Sequence, residues 1–238
     1  MEASQVKALL FDVFGTVVDW RTTVIREGEA ISKTKGIQVD WGKFADAWRK
    51  EGYLQQIFRI ARGEQAYEKV DVLHRRKLDA LLAEHKVTGL SASEITHFNC
   101  VWHRLLPWAD AIPGLTRLRQ KFLVAPLSNG DFILLTNMAK HAGLPWDCIL
   151  SSDMFQKFKP NREIYLYAVK LLDLAPGEVM MVAAHVVDLE AARSAGLRTG
   201  YVDRPLEFGL CGVRESAPKT PFDVSSSSFI DLADKLGA

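Results

Sequence analysis

The sequence predicts an α/β protein: a Rossmann-like parallel sheet core with a helical cap inserted after the first strand. Three observations carry this. An apolar run, Lys7–Phe11, is too short for a helix and ends in a carboxylate, Asp12. Residues 19–105 then follow a nearly unbroken helical pattern with no strand signal. From residue 106 onward, short apolar runs alternate with helical segments of about 10–15 residues, which is the pattern of βαβ units.

The stretch Val6–Val18 reads VKALLFDVFGTVV. A short run without polar alternation is a strand buried on both faces, as in a parallel sheet. The carboxyl end of such a strand faces the ligand crevice, and Asp12 stands there. Gly15 allows a tight turn, and Thr16 can hydrogen-bond either to the loop or to Asp12. For an isolated Asp at a strand end, capping of a turn is the ordinary role.

In the insert, Thr22–Thr34 forms a helix stopped by Lys35-Gly36. Asp40 is the N-cap of the next, whose Trp41, Phe44, Trp48, Leu54, Ile57 and Phe58 follow helical spacing only in part. Gly63 breaks it. Tyr67–His85 is amphipathic, with Val70, Leu73, Leu78, Leu81 and Leu82 near one stripe. Ser91 with Glu94 three residues on is a capping box, and that helix runs to about Leu105 before Pro107.

The alternation then returns. Gly114–Lys121 is helical, Phe122–Leu127 a strand, and Phe132–Ala142 a helix ended by Gly143. Cys148–Leu150 is a short strand and Asn161–Leu172 a helix. Val179–Ala183 is a buried strand, Asp188–Ala195 a helix ended by Gly196, and Arg198–Val202 a further strand. Asp203-Arg204-Pro205 is a turn. Ser225–Ser228 reads as a polar loop before a last helix, Phe229–Leu236. The division expected is a core of residues 1–18 and 106–238 and a cap of residues 19–105. A cap placed directly after the strand that bears Asp12 can close over it and exclude water.

Composition narrows the function. The 238 residues are 48% hydrophobic, enough for one large core or two modest ones. A net charge of +1 with dispersed basic residues gives no footprint for nucleic acid. No apolar run approaches the roughly 20 residues that cross a bilayer. MEASQVK contains no signal-peptide core, so a cytoplasmic location is expected. Cys100, Cys148 and Cys211 are far apart and form no CxxC pair, which suits reduced thiols better than disulfides or zinc. The six histidines have no metal-ligand spacing.

Four polar positions follow core strands: Asp12, Ser128-Asn129, Lys159 and Asp188. Each alone is an ordinary turn or cap residue. Together they gather two carboxylates, one ammonium and neutral donors around one crevice. A lysine beside Asp12 would hold it ionised and nucleophilic at neutral pH.

Asp12-Val13-Phe14-Gly15-Thr16-Val17, Ser128-Asn129-Gly130, Lys159-Pro160 with Tyr165 six residues on, and Asp188 resemble, in order and spacing, the four motifs of the haloacid dehalogenase superfamily. The resemblance spans about residues 5–205. Most members are phosphatases. These carry a second Asp where this chain has Phe14, and a magnesium-binding Asp where it has Ala184. Phe14 donates no proton to an alkoxide, and magnesium wants an octahedron of oxygens.

A leaving group that needs no proton fits the altered site, and halide is one. The sequence resembles the 2-haloacid dehalogenases, and Trp48-Arg49 is similar to their cap arginine region. The resemblance implies Asp12 as nucleophile toward a short 2-haloacid such as a haloacetate or 2-halopropionate, with an aspartyl-ester intermediate. Arg49 and Asn129 would take the halide; Ser128 and the backbone near Val13 and Phe14 would hold the substrate carboxylate. Lys159 would pair with Asp12 and Asp188, Thr16 would orient Asp12, Tyr165 would support the site, and Asp188 would help activate water. No metal and no organic cofactor is implied. The family's frequent pairing through insert and core helices leaves a homodimer open.

The fourth motif departs from the family pattern. Ala183-Ala184-His185-Val186-Val187-Asp188 lacks the serine and asparagine that assist the hydrolytic water, and Val187 replaces an aromatic residue. His185 either hydrogen-bonds that water or supports the helix start. Its reference pKa near 6.5 would make the rate depend on pH between about 5 and 8. An unusual phosphatase and a non-catalytic carboxylate binder are the competing expectations.

Overall fold

The computed structural model describes residues 6–210, 212 and 220–238; Cys211 lies outside them. The first strand, β1 (Ala8–Phe11), is followed by a two-residue strand, β2 (Val18–Asp19), where the chain leaves the sheet. Asp19 accepts the amide of Thr22 at 3.0 Å and so starts α1 (Trp20–Lys35), which ends at Gly36. Then come α2 (Trp41–Ala47), capped by Asp40, α3 (Gln55–Ala61), α4 (Val70–Glu84) and α5 (Ala92–Asn99), opened by the Ser91–Glu94 capping box. A 3₁₀ turn, Cys100–His103, leads to β3 (Leu106–Pro107). This strand pairs antiparallel with β2, Val18 opposite Pro107 and Asp19 opposite Leu106. The helices thus hang from a two-stranded ribbon. Two residues leave no periodicity to read, so the ribbon is not visible in the sequence.

Between α2 and α3 the helix widens. Trp48–Leu54 winds as a π-helix, and the amide of Gln55 donates to the Lys50 carbonyl. The i→i+5 turn shifts the apolar stripe, which explains why spacing in this segment is only partly α-helical. Arg49 and Tyr53 are both buried within it. Gly52 lets the segment lie against α4: a Cβ there would sit 2.6 Å from Lys77 Cβ.

The core continues with α6 (Ala111–Arg119), β4 (Leu123–Ser128), α7 (Phe132–Ala142), β5 (Leu150–Ser151), α8 (Arg162–Leu171) and β6 (Val179–Ala183). It ends with α9 (Val186–Ser194), β7 (Arg198–Val202), β8 (Val224–Ser226) and α10 (Phe229–Leu236). Six strands form one parallel sheet in the order β5-β4-β1-β6-β7-β8. Central β1 has Leu10 beside Ala125 on one side and Met181 on the other. Its side chains alternate between two apolar layers. Leu9 and Phe11 pack with Leu115, Leu134 and Phe229; Ala8 and Leu10 pack with Ile164, Leu189 and Ala192. Burial on both faces explains the unbroken apolar run.

Several ends differ by a few residues from the sequence reading, and the helix expected to reach Leu105 stops at Asn99 and continues as the 3₁₀ turn. In the core, the starts of α6 and α9 move and β8 is new. α6 begins at Ala111, because Pro113 falls in the first turn, where an amide donor is not needed. α9 begins at Val186, which places Asp188 in its first turn. Val224–Ser226 is a strand where the sequence reads as loop. It lies at the sheet edge, so it needs no apolar run. Asp203 N–H donates to the Ser226 carbonyl at 2.9 Å, and Ser226 Oγ to the Tyr201 carbonyl at 2.9 Å. Cys100 and Cys148 are free thiols. No described helix is long and apolar enough to cross a membrane.

Candidate active site

The carboxyl ends of five neighbouring strands converge on one cavity of about 130 Å³, closed from above by the π-helix. Asp12 follows β1, Asn129 follows β4, and Lys159 lies in the loop after β5. His185 and Asp188 follow β6, and Glu207 follows β7. Arg49, Tyr53, Ile57 and Phe58 line the cavity from the cap. At roughly 30 Å³ per water molecule, the space is that of about four waters, which suits a molecule of two or three carbons.

Asp12 is fixed from several sides. Its amide donates to the Val182 carbonyl at 2.9 Å, the last rung of the ladder between β1 and β6. Thr16 Oγ1 donates to Asp12 Oδ2 at 2.9 Å and accepts the Ala184 amide at 3.0 Å, so Thr16 serves both the loop and Asp12. Lys159 Nζ bridges the carboxylates, 3.0 Å from Asp12 Oδ1 and 2.5 Å from Asp188 Oδ2. The other oxygen of Asp188 accepts the Tyr165 hydroxyl at 2.5 Å. Asn129 holds the backbone of Lys159 at both ends: Oδ1 accepts its amide (2.7 Å) and Nδ2 donates to its carbonyl (2.9 Å).

These contacts set the charges. Burial disfavours ionised Asp12, but the Lys159 ammonium and His185 outweigh it and hold the carboxyl far below the usual range. Lys159 is also buried, and Asp12 and Asp188 raise its pKa in spite of that. Burial pushes Asp188 up, and the neighbouring Asp12 charge adds to the push. Asp12 is therefore an anion before any substrate arrives.

The cap side is different. Arg49 is only 5% exposed, so it is no solvated helix arginine. Its guanidinium lies over Tyr53 at 4.4 Å, Phe14 at 5.4 Å and Trp20 at 5.5 Å. Nη2 reaches the Phe14 carbonyl at 3.5 Å, while Nε and Nη1 find no acceptor among the described residues. Buried N–H donors on a cation without acceptors are costly, and an anion would satisfy them. Ser128 Oγ is likewise buried without a partner among the described residues. Tyr53 donates to the Asn129 carbonyl at 2.7 Å and ties the π-helix to the core.

Of the residues singled out in the sequence, Asp12, Arg49, Asn129, Lys159, His185 and Asp188 line the cavity together. Val13, Phe14 and Ser128 are buried. Tyr165 reaches the site through Asp188, and Thr16 through Asp12. Glu207 was not foreseen. It is 3% exposed and contacts His185 Nε2 at 3.0 and 3.1 Å, and Trp20 Nε1 donates to it at 3.2 Å. It lies on a loop beyond the last motif, where no periodicity marks it. Arg204 pins that loop, donating to the Thr16 carbonyl at 2.8 Å and pairing with Asp110 at 2.7 Å.

Magnesium does not fit this arrangement. The groups beside Asp12 are an ammonium and an imidazole, and Phe14 and Ala184 offer no side-chain oxygen. Among the described residues, no group of three or more His, Cys, Asp or Glu side chains is placed to hold a metal.

A doubly covered parallel sheet, with a buried, lysine-paired carboxylate after its first strand and a helical cap, defines a class of hydrolases. The family model for haloacid dehalogenase-like hydrolases matches residues 6–196, and the chain belongs to that family. It is similar in structure to the defluorinating L-2-haloacid dehalogenase Rha0230, with 42% identity, 98% of this chain and 96% of that one covered, and a TM-score of 0.93. The L-2-haloacid dehalogenase PA0810 is 39% identical, with 97% and 99% covered and a TM-score of 0.90. In sequence, the (S)-2-haloacid dehalogenase of Pseudomonas sp. strain YL is 27% identical, with 84% of this chain and 83% of that one covered.

Proposed function

We propose that the chain is a hydrolytic dehalogenase that cleaves the carbon–halogen bond of short (S)-2-haloacids without a metal. The observation that carries this is the pairing of an ionised Asp12 with a buried, unsatisfied Arg49 across a cavity that offers a leaving alkoxide no acid at Phe14.

Asp12 attacks C2 in line, and halide leaves toward Arg49, with the Asn129 amide at the edge of the same cavity. Ser128 Oγ and the backbone near Val13 and Phe14 hold the substrate carboxylate, where charge-assisted hydrogen bonds are strongest. The result is an aspartyl ester. Water then attacks the ester carbonyl and frees a 2-hydroxy acid. The first step inverts C2 and the second leaves it untouched, so an (S)-haloacid gives the hydroxy acid with the opposite spatial arrangement. Lys159 holds Asp12 and Asp188, and Tyr165 steadies Asp188.

Halide release from fluoro-, chloro- and bromoacetate and from both enantiomers of 2-chloropropionate tests the reading. Wild type is expected to release halide and Asp12→Asn to release none. In heavy-oxygen water, a single turnover should place label in the Asp12 carboxylate and leave the hydroxy acid unlabelled. No release at high enzyme concentration, or label in the hydroxy acid after one turnover, would overturn the assignment.

A further inference from the structure

Two ionisable groups of the cavity, His185 and Glu207, have no part in the steps above, and one task there is unassigned. His185 lies between two carboxylates, with Nδ1 3.0 Å from Asp12 Oδ2 and Nε2 3.0 and 3.1 Å from the oxygens of Glu207. The unassigned task is taking a proton from the hydrolytic water. Asp188 is poorly placed for it, because one oxygen is held by Lys159 Nζ and the other by the Tyr165 hydroxyl, each at 2.5 Å. His185, by contrast, touches the carboxylate that becomes esterified.

We propose that Glu207 and His185 form a proton relay governed by the charge on Asp12. His185 is an imidazolium while Asp12 is a free carboxylate. It yields its Nδ1 proton to bulk water once Asp12 is esterified, and it then takes a proton from the water that attacks the ester. This rests on the dehalogenase reading and adds to it the base of the second step and the residue that positions that base.

In the free site, both ring N–H groups point at carboxylate oxygens. Burial opposes the positive charge, but Glu207 and Asp12 outweigh it, so the ring stays protonated well above its usual range. Lys159 lies beyond Asp12 and Asp188 beyond Lys159, and Arg49 faces the same cavity from the cap. Alkylation breaks the carbon–halogen bond, forms the bond from C2 to an Asp12 oxygen, and moves no proton. It removes the Asp12 charge, so among the described residues His185 keeps only Glu207 as a hydrogen-bonded anionic partner, and the Nδ1 proton departs.

Water then adds to Asp12 Cγ and gives one proton to Nδ1. The bond from Cγ to the oxygen on C2 breaks, and the leaving alkoxide takes the remaining proton. Carboxylate, imidazolium and hydroxy acid are left. One water is consumed and one proton is released per turnover, but that proton appears with the halide and not with the hydroxy acid. Glu207 is the positioning residue: it holds Nε2 and aims Nδ1 at Asp12. Space for it comes from Gly15, since a Cβ there would lie 2.0 Å from Glu207 Oε1.

The test is a single turnover of chloroacetate in weak buffer with a pH indicator, with halide and glycolate followed in parallel. Wild type is expected to release its proton with chloride and ahead of glycolate. His185→Gln is expected to slow ester hydrolysis roughly 10²–10⁴-fold, the usual worth of a general base, with chloride release changed far less. In that variant the ester accumulates as an adduct in the intact mass, and the proton appears with glycolate. Glu207→Gln should shift the pH profile of hydrolysis to lower pH, an effect that loss of packing alone would not give. Chloride release with the wild-type proton tracking glycolate overturns the relay and spares the dehalogenase reading, as does an unchanged hydrolysis rate in His185→Gln. No chloride from wild type overturns both.

Discussion

The two walls of the cavity are built on opposite principles. On the core wall every charge is matched: Asp12 by Lys159 and Thr16, Asp188 by Lys159 and Tyr165, and His185 by Asp12 and Glu207. On the cap wall Arg49 keeps two nitrogens without acceptors among the described residues and rests on aromatic faces. The core wall is complete before substrate arrives and keeps Asp12, the proposed nucleophile, ionised. The cap wall is incomplete until an anion fills it. Stability and activity should therefore respond differently to damage on each side.

The largest expected effect is on the core wall. Lys159→Met leaves two buried carboxylates facing each other without their shared cation. Breaking a buried pair in this way costs roughly 3–5 kcal/mol. Urea denaturation should show that loss, and halide release should vanish with it, because Asp12 is no longer held as an anion.

Arg49→Met sharpens the contrast. Removing the group proposed to receive the halide should lower kcat on the order of 10²–10³-fold, as loss of one preorganised donor does. Stability should change far less than in Lys159→Met. Each of the two unmet buried donors costs about 1–3 kcal/mol, which offsets the roughly 0.5–2 kcal/mol gained over each of the three rings. A urea midpoint that falls as far as in Lys159→Met would mean that the cap wall is structural like the core.

The same division separates what could be read in the sequence from what could not. Asp12, Ser128-Asn129, Lys159 and Asp188 were legible because each lies at or after the carboxyl end of a recognisable strand, on the side where a parallel sheet gathers its chemistry. Arg49 was legible only through resemblance; its burial depends on a π-helix that α-helical spacing does not reveal. Glu207 was invisible, since its place depends on Arg204 anchoring a patternless loop against Thr16. β8 was hidden by its polarity: an edge strand led by Val224 and two serines has no second buried face to demand apolar residues.

Gly15 links both walls at a smaller scale. It holds φ at +88°, and a Cβ there would meet Glu207 within 2.0 Å. Gly15→Ala should cost about 1–3 kcal/mol in backbone strain and should also displace Glu207. Its urea midpoint is expected to fall less than that of Lys159→Met, while the second half-reaction slows. Unchanged hydrolysis in this variant would separate Glu207 from the site.

The smallest signal is a difference between two differences, the pH dependence of what His185 adds to stability. Its folded pKa is raised, with burial opposing and the Glu207 and Asp12 carboxylates prevailing. The unfolded ring titrates near its reference value of about 6.5. Below that value the ring is protonated in both states, and its favourable contacts contribute in full. As pH rises above it, the unfolded chain loses the proton first, so the advantage declines until the folded ring also deprotonates. The stability gap between wild type and His185→Gln, taken from urea unfolding at several pH values, should be widest at or below about pH 6 and should shrink as the solution becomes alkaline. A gap that widens with pH would mean that the ring is neutral in the folded state, and the core wall would then carry one unmatched carboxylate.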